Sequence, residues 1–272
     1  MGRLRGRVAK LTKELEGARR RIAELEQELD QARVDPGVWV NARFVYEYGL
    51  RVRSGPFAGL EFVGDAVYRP DLADGITAKL LGCFERELHP SIERALARGY
   101  STFVNVGAAE GYYAVGLAMR APDSRVYAFE IDQDRRDLCR EIARANGVED
   151  RVELAGECDP EWLAQLADEC FAIVDCEGCE IDLLGPAQAA NLSRSDLIVE
   201  LHDFIDPQSS STIIERFSGT HRCERIPATP RHSGEFPELE IFGWKNREIA
   251  ISELRAYPME WAAVTPKPAE SS

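Results

Sequence analysis

From Ser101 onward the chain alternates short apolar runs with amphipathic stretches, and no other feature constrains the fold as strongly. Residues 102–106, 125–129, 151–155, 171–174 and 195–201 read as five strands. The stretches between them carry Val115, Leu117 and Ala118, then Leu138, Ile142 and Ala143, then Trp162, Leu163 and Leu166, and read as helices. Strands that are apolar on both faces and separated by helices imply a parallel sheet covered on both sides, an α/β fold. Ligands of such sheets sit at the carboxyl ends of the strands. The polar residues at those ends are therefore the candidates for function.

The first strand runs directly into Gly107-Ala108-Ala109-Glu110-Gly111. Gly107 permits a tight turn with the backbone near a ligand, and Gly111 lets helix and strand approach. Glu130 follows at the end of the next strand, about 20 residues on, where a carboxylate can hold ribose hydroxyls. The second glycine of the dinucleotide fingerprint is absent, and Glu110 would repel a pyrophosphate at the helix N-terminus. The pattern points to a nucleoside with a cationic or neutral tail, S-adenosylmethionine rather than NAD.

At these residues the sequence resembles class I S-adenosylmethionine-dependent methyltransferases, and within them the FkbM-like family. The resemblance is carried by the run from Phe103 to Tyr113, by Phe129-Glu130, by Ile173-Val174-Asp175-Cys176-Glu177-Gly178-Cys179-Glu180, and by Ile198-Val199-Glu200-Leu201-His202. It covers roughly residues 80–205. Two positions depart from the family pattern: Asn105 stands where an acidic residue is usual, and Ala109 where Asn is common. The resemblance implies a Rossmann-like class I methyltransferase sheet with helices on both faces. It also implies methyl transfer to oxygen, commonly a hydroxyl of a sugar, glycan or secondary metabolite. The expected cofactor contacts are Asn105, Gly107, Ala108, Glu110, Gly111, Tyr112, Glu130 and Asp175.

Methyl transfer is an in-line displacement, so positioning dominates and a hydroxyl acceptor gains from a base. His202 is the expected base, because imidazole titrates near neutrality and this one ends the fifth strand. Glu177 and Asp203 are the expected catalytic companions. A divalent cation held by Asp175, Glu177, His202 and Asp203 is chemically possible but not favoured, and no metal site is assigned. Cys176 and Cys179 have C-x-x-C spacing without a second such pair, which argues for free thiols rather than zinc.

Residues 1–34 repeat apolar positions every 3.5 residues, with Val8, Leu15, Ile22 and Leu29 at one core position and Leu4, Leu11, Ala18, Leu25 and Ala32 at the other. The pairs Glu14–Arg19, Arg21–Glu26 and Glu28–Arg33 are opposite in sign, as a parallel homodimeric coiled coil requires. Asp35-Pro36-Gly37 is expected to stop that helix. A connecting hairpin and helical cap then spans 35–100, with Pro90 splitting a helical stretch whose Lys79, Glu85 and Glu87 are read as a solvated face. The methyltransferase domain is expected over 101–265, with an antiparallel edge strand at 259–264 and a lid over 227–243 carrying Arg231 and His232. Residues 266–272 form a tail.

Charge narrows the partners. The chain carries 33 Lys and Arg against 47 Asp and Glu, a net −14, and the excess lies outside the basic N-terminal segment. So acidic a body repels phosphate backbones, which argues against nucleic acid. There is no apolar run of membrane-spanning length and no export signal, so a cytoplasmic location with reduced thiols is expected. Two other readings stay open. One is a nucleotide-dependent oxidoreductase on a similar fold. The other is a non-catalytic coiled-coil interaction protein with a relic α/β domain.

Overall fold

The computed structural model describes residues 15–16, 19–22, 35–69, 71, 74–167, 169–253, 255 and 259–268. All five expected strands form, as β1 (Thr102–Val106), β2 (Arg125–Phe129), β3 (Val152–Ala155), β4 (Cys170–Val174) and β5 (Asp196–Glu200). Two more follow, β6 (His221–Pro227) and β7 (Glu260–Pro266). The sheet order is β3-β2-β1-β4-β5-β7-β6, with β1 to β5 parallel and β7 antiparallel to both its neighbours. This is a Rossmann-like sheet with helices on both faces, as expected. The strand expected at the edge, 259–264, is instead interior, and β6 forms the edge. That placement suits its sequence: Trp261 to Val264 are all buried, whereas β6 exposes four of its seven residues.

The period of two along each central strand builds two separate cores. Phe103, Phe171, Ile173 and Ile198 face one of them. Val104, Val106, Ala172, Val174, Leu197 and Val199 face the other. The first core is covered by α1 (Pro36–Tyr48), α2 (Gly64–Tyr68), α3 (Ile76–Leu81), α4 (His89–Arg98), α5 (Tyr112–Arg120) and α6 (Gln133–Ala145). Residues 35–100 thus supply much of one face of the molecule. The second core is covered by α7 (Pro160–Ala164), α8 (Glu180–Leu183), α9 (Pro186–Asn191) and α10 (Ser209–Ser218), while α11 (Trp244–Ile251) packs on the first.

Several local signals act differently from expectation. Asp35-Pro36-Gly37 starts a helix: the Asp35 carboxylate accepts from the Gly37 and Val38 N–H groups, and Pro36 sits in the first turn. Proline at that position costs nothing because its missing N–H would have no helical partner. Pro90 likewise lies in the first turn of α4, and the break before it falls at Gly82 in the left-handed region. The expected hairpin at 50–63 is reduced to a single bridge, Arg51 to Glu61, flanked by the Val52 N–H to Leu60 and Phe62 N–H to Leu50 hydrogen bonds. Most of the coiled-coil segment lies outside the described residues. Its described residues, 15–16 and 19–22, are helical and exposed.

Candidate active site at the carboxyl ends of the strands

A cavity of about 910 Å³ opens where β1, β2, β4 and β5 end, a size that suits a cofactor together with an acceptor. Its floor is the loop after β1. The Gly107 and Ala108 N–H groups both donate to the Phe129 carbonyl at 2.9 Å, which folds the chain back over the sheet edge. Gly107 has φ 77°, and a Cβ there would lie 1.6 Å from the Asp175 carbonyl oxygen, so only glycine fits. Gly111, at φ 97°, begins α5 against the Cys139 sulfur. Gly107 therefore makes room for the neighbouring strand loop, and Gly111 for α6.

Glu130 stands beside this loop as expected. Its Oε2 accepts from the Ala109 N–H at 2.8 Å and its Oε1 from the Asp132 N–H at 2.9 Å. Each oxygen keeps a lone pair for a further donor. Asn105 is buried at the end of β1 and lines the cavity, yet neither atom of its amide has a hydrogen-bond partner. Tyr112 is buried beside it with its hydroxyl unpartnered.

Backbone strain marks the same place. Among the described residues three non-glycine residues have positive φ: Glu85 at 44°, Ala109 at 46° and Glu177 at 57°. All three line the cavity. Each left-handed non-glycine residue costs about 1 kcal/mol or more and persists only where its surroundings enforce it. At Ala109 the cost exceeds that of the Asn common in the resembling family, since Asn tolerates this region better.

Glu110 does not face the loop as a free carboxylate. It is buried 2.6 Å from Lys79 of α3, whose ammonium also lies 3.4 Å from Asp74 and 4.5 Å from the Phe84 ring centroid. Burial opposes the Lys79 charge, but Glu110 and Asp74 outweigh it and raise its pKa. The repulsion expected from Glu110 is thus cancelled within the protein. Lys79, Glu85 and Glu87, read from the sequence as a solvated face, are all buried. A helix face can be polar and buried when the charges it meets complement it, and periodicity does not reveal that.

On the opposite wall His202 is buried among carboxylates. Its Nδ1 lies 3.0 Å from Glu180, and its Nε2 lies 3.5 Å from Glu177, 3.5 Å from Glu200 and 3.9 Å from Asp175. Burial alone would lower its pKa, but Glu177, Glu180 and Glu200 together raise it to about 10. Burial pushes Asp175 well above the usual carboxylate range, and the neighbouring Glu200 carboxyl pushes it further. Glu200 and Glu85 both pair with Arg255. Burial raises Glu85 to about 8 despite that partner. One ligand atom each from Asp175, Glu200 and His202 falls within 4.8 Å of the others. Arg255 already supplies Glu200 with a cation.

Of the expected catalytic residues, His202 and Glu177 meet at the cavity. Asp203 does not. Its carboxylate accepts from the Ser210 N–H at 2.8 Å and caps the start of α10. The expected lid residues are also committed elsewhere. Arg231 is buried and lies 3.1 Å from Glu87, and it donates to the Cys83 carbonyl at 2.6 Å. His232 caps a short 3-10 turn. Sequence reasoning missed Lys79, Glu85, Glu180, Glu200 and Arg255 as site residues. Glu180 and Glu200 were visible inside the motifs that carry the resemblance, whereas Arg255 had no local signal at all.

No known family profile matches the chain, and no curated protein does. Solved structures do resemble it. The O-methyltransferase TomG of Streptomyces achromogenes, involved in tomaymycin synthesis and solved with SAM, is 15% identical at a TM-score of 0.46 over 86% of this chain and 91% of that one. An rRNA methylase from Streptococcus thermophilus is 14% identical at 0.45, covering 66% and 96%. An O-methyltransferase from Bacillus cereus in complex with SAH is 17% identical at 0.41, covering 64% and 77%. The likeness is one of general fold, and what the site binds is read from its own residues.

Two outcomes are expected. Lys79→Met leaves Glu110 buried without a cation and should cost about 3–5 kcal/mol in urea unfolding. Adding Glu110→Leu should recover most of that loss, and a double variant as unstable as the single would refute the pairing. His202 holds a proton in the folded chain that the unfolded chain releases above about pH 6.5. Its contribution to stability is therefore full below that pH and declines as pH rises toward about 10. The stability of wild type relative to His202→Gln should fall across that window in urea titrations, and a pH-independent difference would contradict the charged imidazole.

Proposed function

We propose that the protein is an S-adenosylmethionine-dependent methyltransferase acting on a hydroxyl acceptor. One observation carries this reading. Setting aside His202, whose ring nitrogens face carboxylates, five buried side-chain polar atoms without a hydrogen-bond partner among the described residues belong to residues lining the cavity at the strand ends: two on Asn105 and one each on Glu110, Tyr112 and Asp175. A buried polar atom without a partner costs about 1–3 kcal/mol, so a cluster of them marks where a polar ligand completes the protein.

The residues fit the cofactor's chemistry. Asn105 offers both an acceptor and a donor, as a zwitterionic amino-acid tail requires. Glu130 retains lone pairs for ribose hydroxyls. The internal Lys79–Glu110 pair leaves the loop without the local cation that a pyrophosphate would need, and a sulfonium does not need one. When bound, the cofactor supplies an electrophilic methyl group. The chain's own task is to hold the acceptor in line and take its proton. We assign that role to His202 Nε2, with Nδ1 held toward Glu180 and Glu177 closing the Nε2 side; because these carboxylates favour the charged imidazole, Nε2 can take the proton only in the deprotonated form, whose share grows as pH rises toward about 10. The FkbM-like assignment within the class rests on the Asp175–Glu180 motif, and a sugar, glycan or secondary-metabolite acceptor follows from that resemblance.

The coiled-coil homodimer is part of the same proposal. Leu15 and Ile22, two of its core positions, are 54% and 45% exposed in the single chain, as residues awaiting a partner helix would be. Among the described residues no helix is long and apolar enough to cross a membrane.

Asn105→Leu separates a ligand site from a structural one. It removes two unpartnered polar atoms, so the unfolding midpoint should hold or rise. Affinity for S-adenosylhomocysteine by calorimetry should fall at least about tenfold. Unchanged affinity would remove Asn105 from the site, and a large loss of stability would show that its amide is satisfied within the protein.

A further inference from the structure

Cys176 and Cys179 form a disulfide, where free thiols were expected from the sequence. The C-x-x-C spacing does not by itself reveal how the chain turns between the two residues. Glu177 and Gly178 are both left-handed, with φ 57° and 105°, and this double reversal brings the sulfurs together. The turn lies on the cavity wall between β4 and α8 and places the Glu177 carboxylate 3.5 Å from His202 Nε2. Besides the disulfide, Glu180 Oε1 holds the turn, accepting from the Cys176 N–H at 3.0 Å and the Gly178 N–H at 3.4 Å. Since Glu177 pays a backbone cost in this conformation, the cross-link is a main reason it stays.

The remaining cysteines cannot share this chemistry. Cys83, Cys139, Cys158 and Cys170 are buried and outside the disulfide, and Cys223 is half-buried and outside it. Burial pushes the thiols of Cys83, Cys139 and Cys158 up to about 12, which leaves almost no thiolate at neutral pH. Cys179, by contrast, is exposed and Cys176 half-buried. Among the described residues this pair is the one disulfide, and its Cys179 sulfur belongs to an exposed residue.

We infer that Cys176 and Cys179 are a reversible dithiol–disulfide site through which an external dithiol sets the position of Glu177, and with it the acceptor side of the cavity. A thiolate of the dithiol attacks the exposed Cys179 sulfur. The Cys176–Cys179 bond breaks, and Cys176 leaves as a thiolate and takes up a proton. The second thiol of the reductant then attacks its own sulfur in the mixed disulfide and releases Cys179. Two electrons pass to the protein, and the dithiol becomes a disulfide. Oxidation by a disulfide such as oxidised glutathione reverses the sequence. Control of methyl transfer rests on the proposed function, whereas the thiol chemistry and the loop's response do not.

The test uses the full chain equilibrated in oxidised glutathione or in dithiothreitol, without denaturant. After an acid quench and unfolding, alkylation and intact mass should count five thiols in the first, matching the five cysteines outside the disulfide, and two more in the second. Amide exchange across 176–180 should accelerate on reduction by on the order of tenfold, the loop-closure gain of so short a ring, while α6 stays unchanged. A Cys176→Ser, Cys179→Ser variant should exchange like the reduced protein under both conditions. A pair that stays oxidised in dithiothreitol or stays reduced in oxidised glutathione would overturn the inference. So would a pair that cycles without changing exchange at 176–180. Binding of S-adenosylhomocysteine, measured on the same samples, reports separately on the proposed function.

Discussion

The site depends on the compensation of buried carboxylates at the carboxyl edge of the sheet. Parallel strands deliver Asp175 and Glu200 to one edge, and the loop after β1 adds Glu110. None could stay ionised there alone, because an unpaired buried charge costs several kcal/mol. The cations come from outside the sheet: Lys79 from α3, and Arg255 from the segment before β7. Arg231 joins the same network through Glu87 and Glu253. The cavity is a place where sheet-borne anions and flank-borne cations meet, with room left for a ligand.

That division explains what the sequence disclosed. The strands were legible because short runs apolar on both faces, separated by helical stretches, leave few alternatives. The Gly107–Gly111 loop and Glu130 were legible because their backbone geometry admits few residue types. The cations were not legible. Lys79 sits in a short helix whose six residues are all buried, so it has no polar face to announce its orientation. Arg255 lies far along the chain from Glu85, which it pairs with, and no local pattern encodes such a contact. Asp203 shows the converse error. It neighbours His202 in sequence, but the chain turns after β5 and spends its carboxylate on capping α10.

Two features of this chain shape the cavity. Asn105 replaces an acidic residue in a region already crowded with carboxylates. A neutral amide there avoids one more buried charge while keeping a donor and an acceptor for a zwitterionic ligand. The Cys176–Cys179 disulfide holds Glu177 in a left-handed turn beside His202. On the proposed function, the first bears on the cofactor side of the cavity and the second on the acceptor side.

The most direct measurement is a crystal structure of the protein with S-adenosylhomocysteine. The account predicts the amino-acid tail on the Asn105 amide and the ribose on Glu130, with His202 Nε2 facing the open acceptor side of the sulfur. A ligand bound elsewhere, or an Asn105 amide still without a partner in the complex, would contradict it.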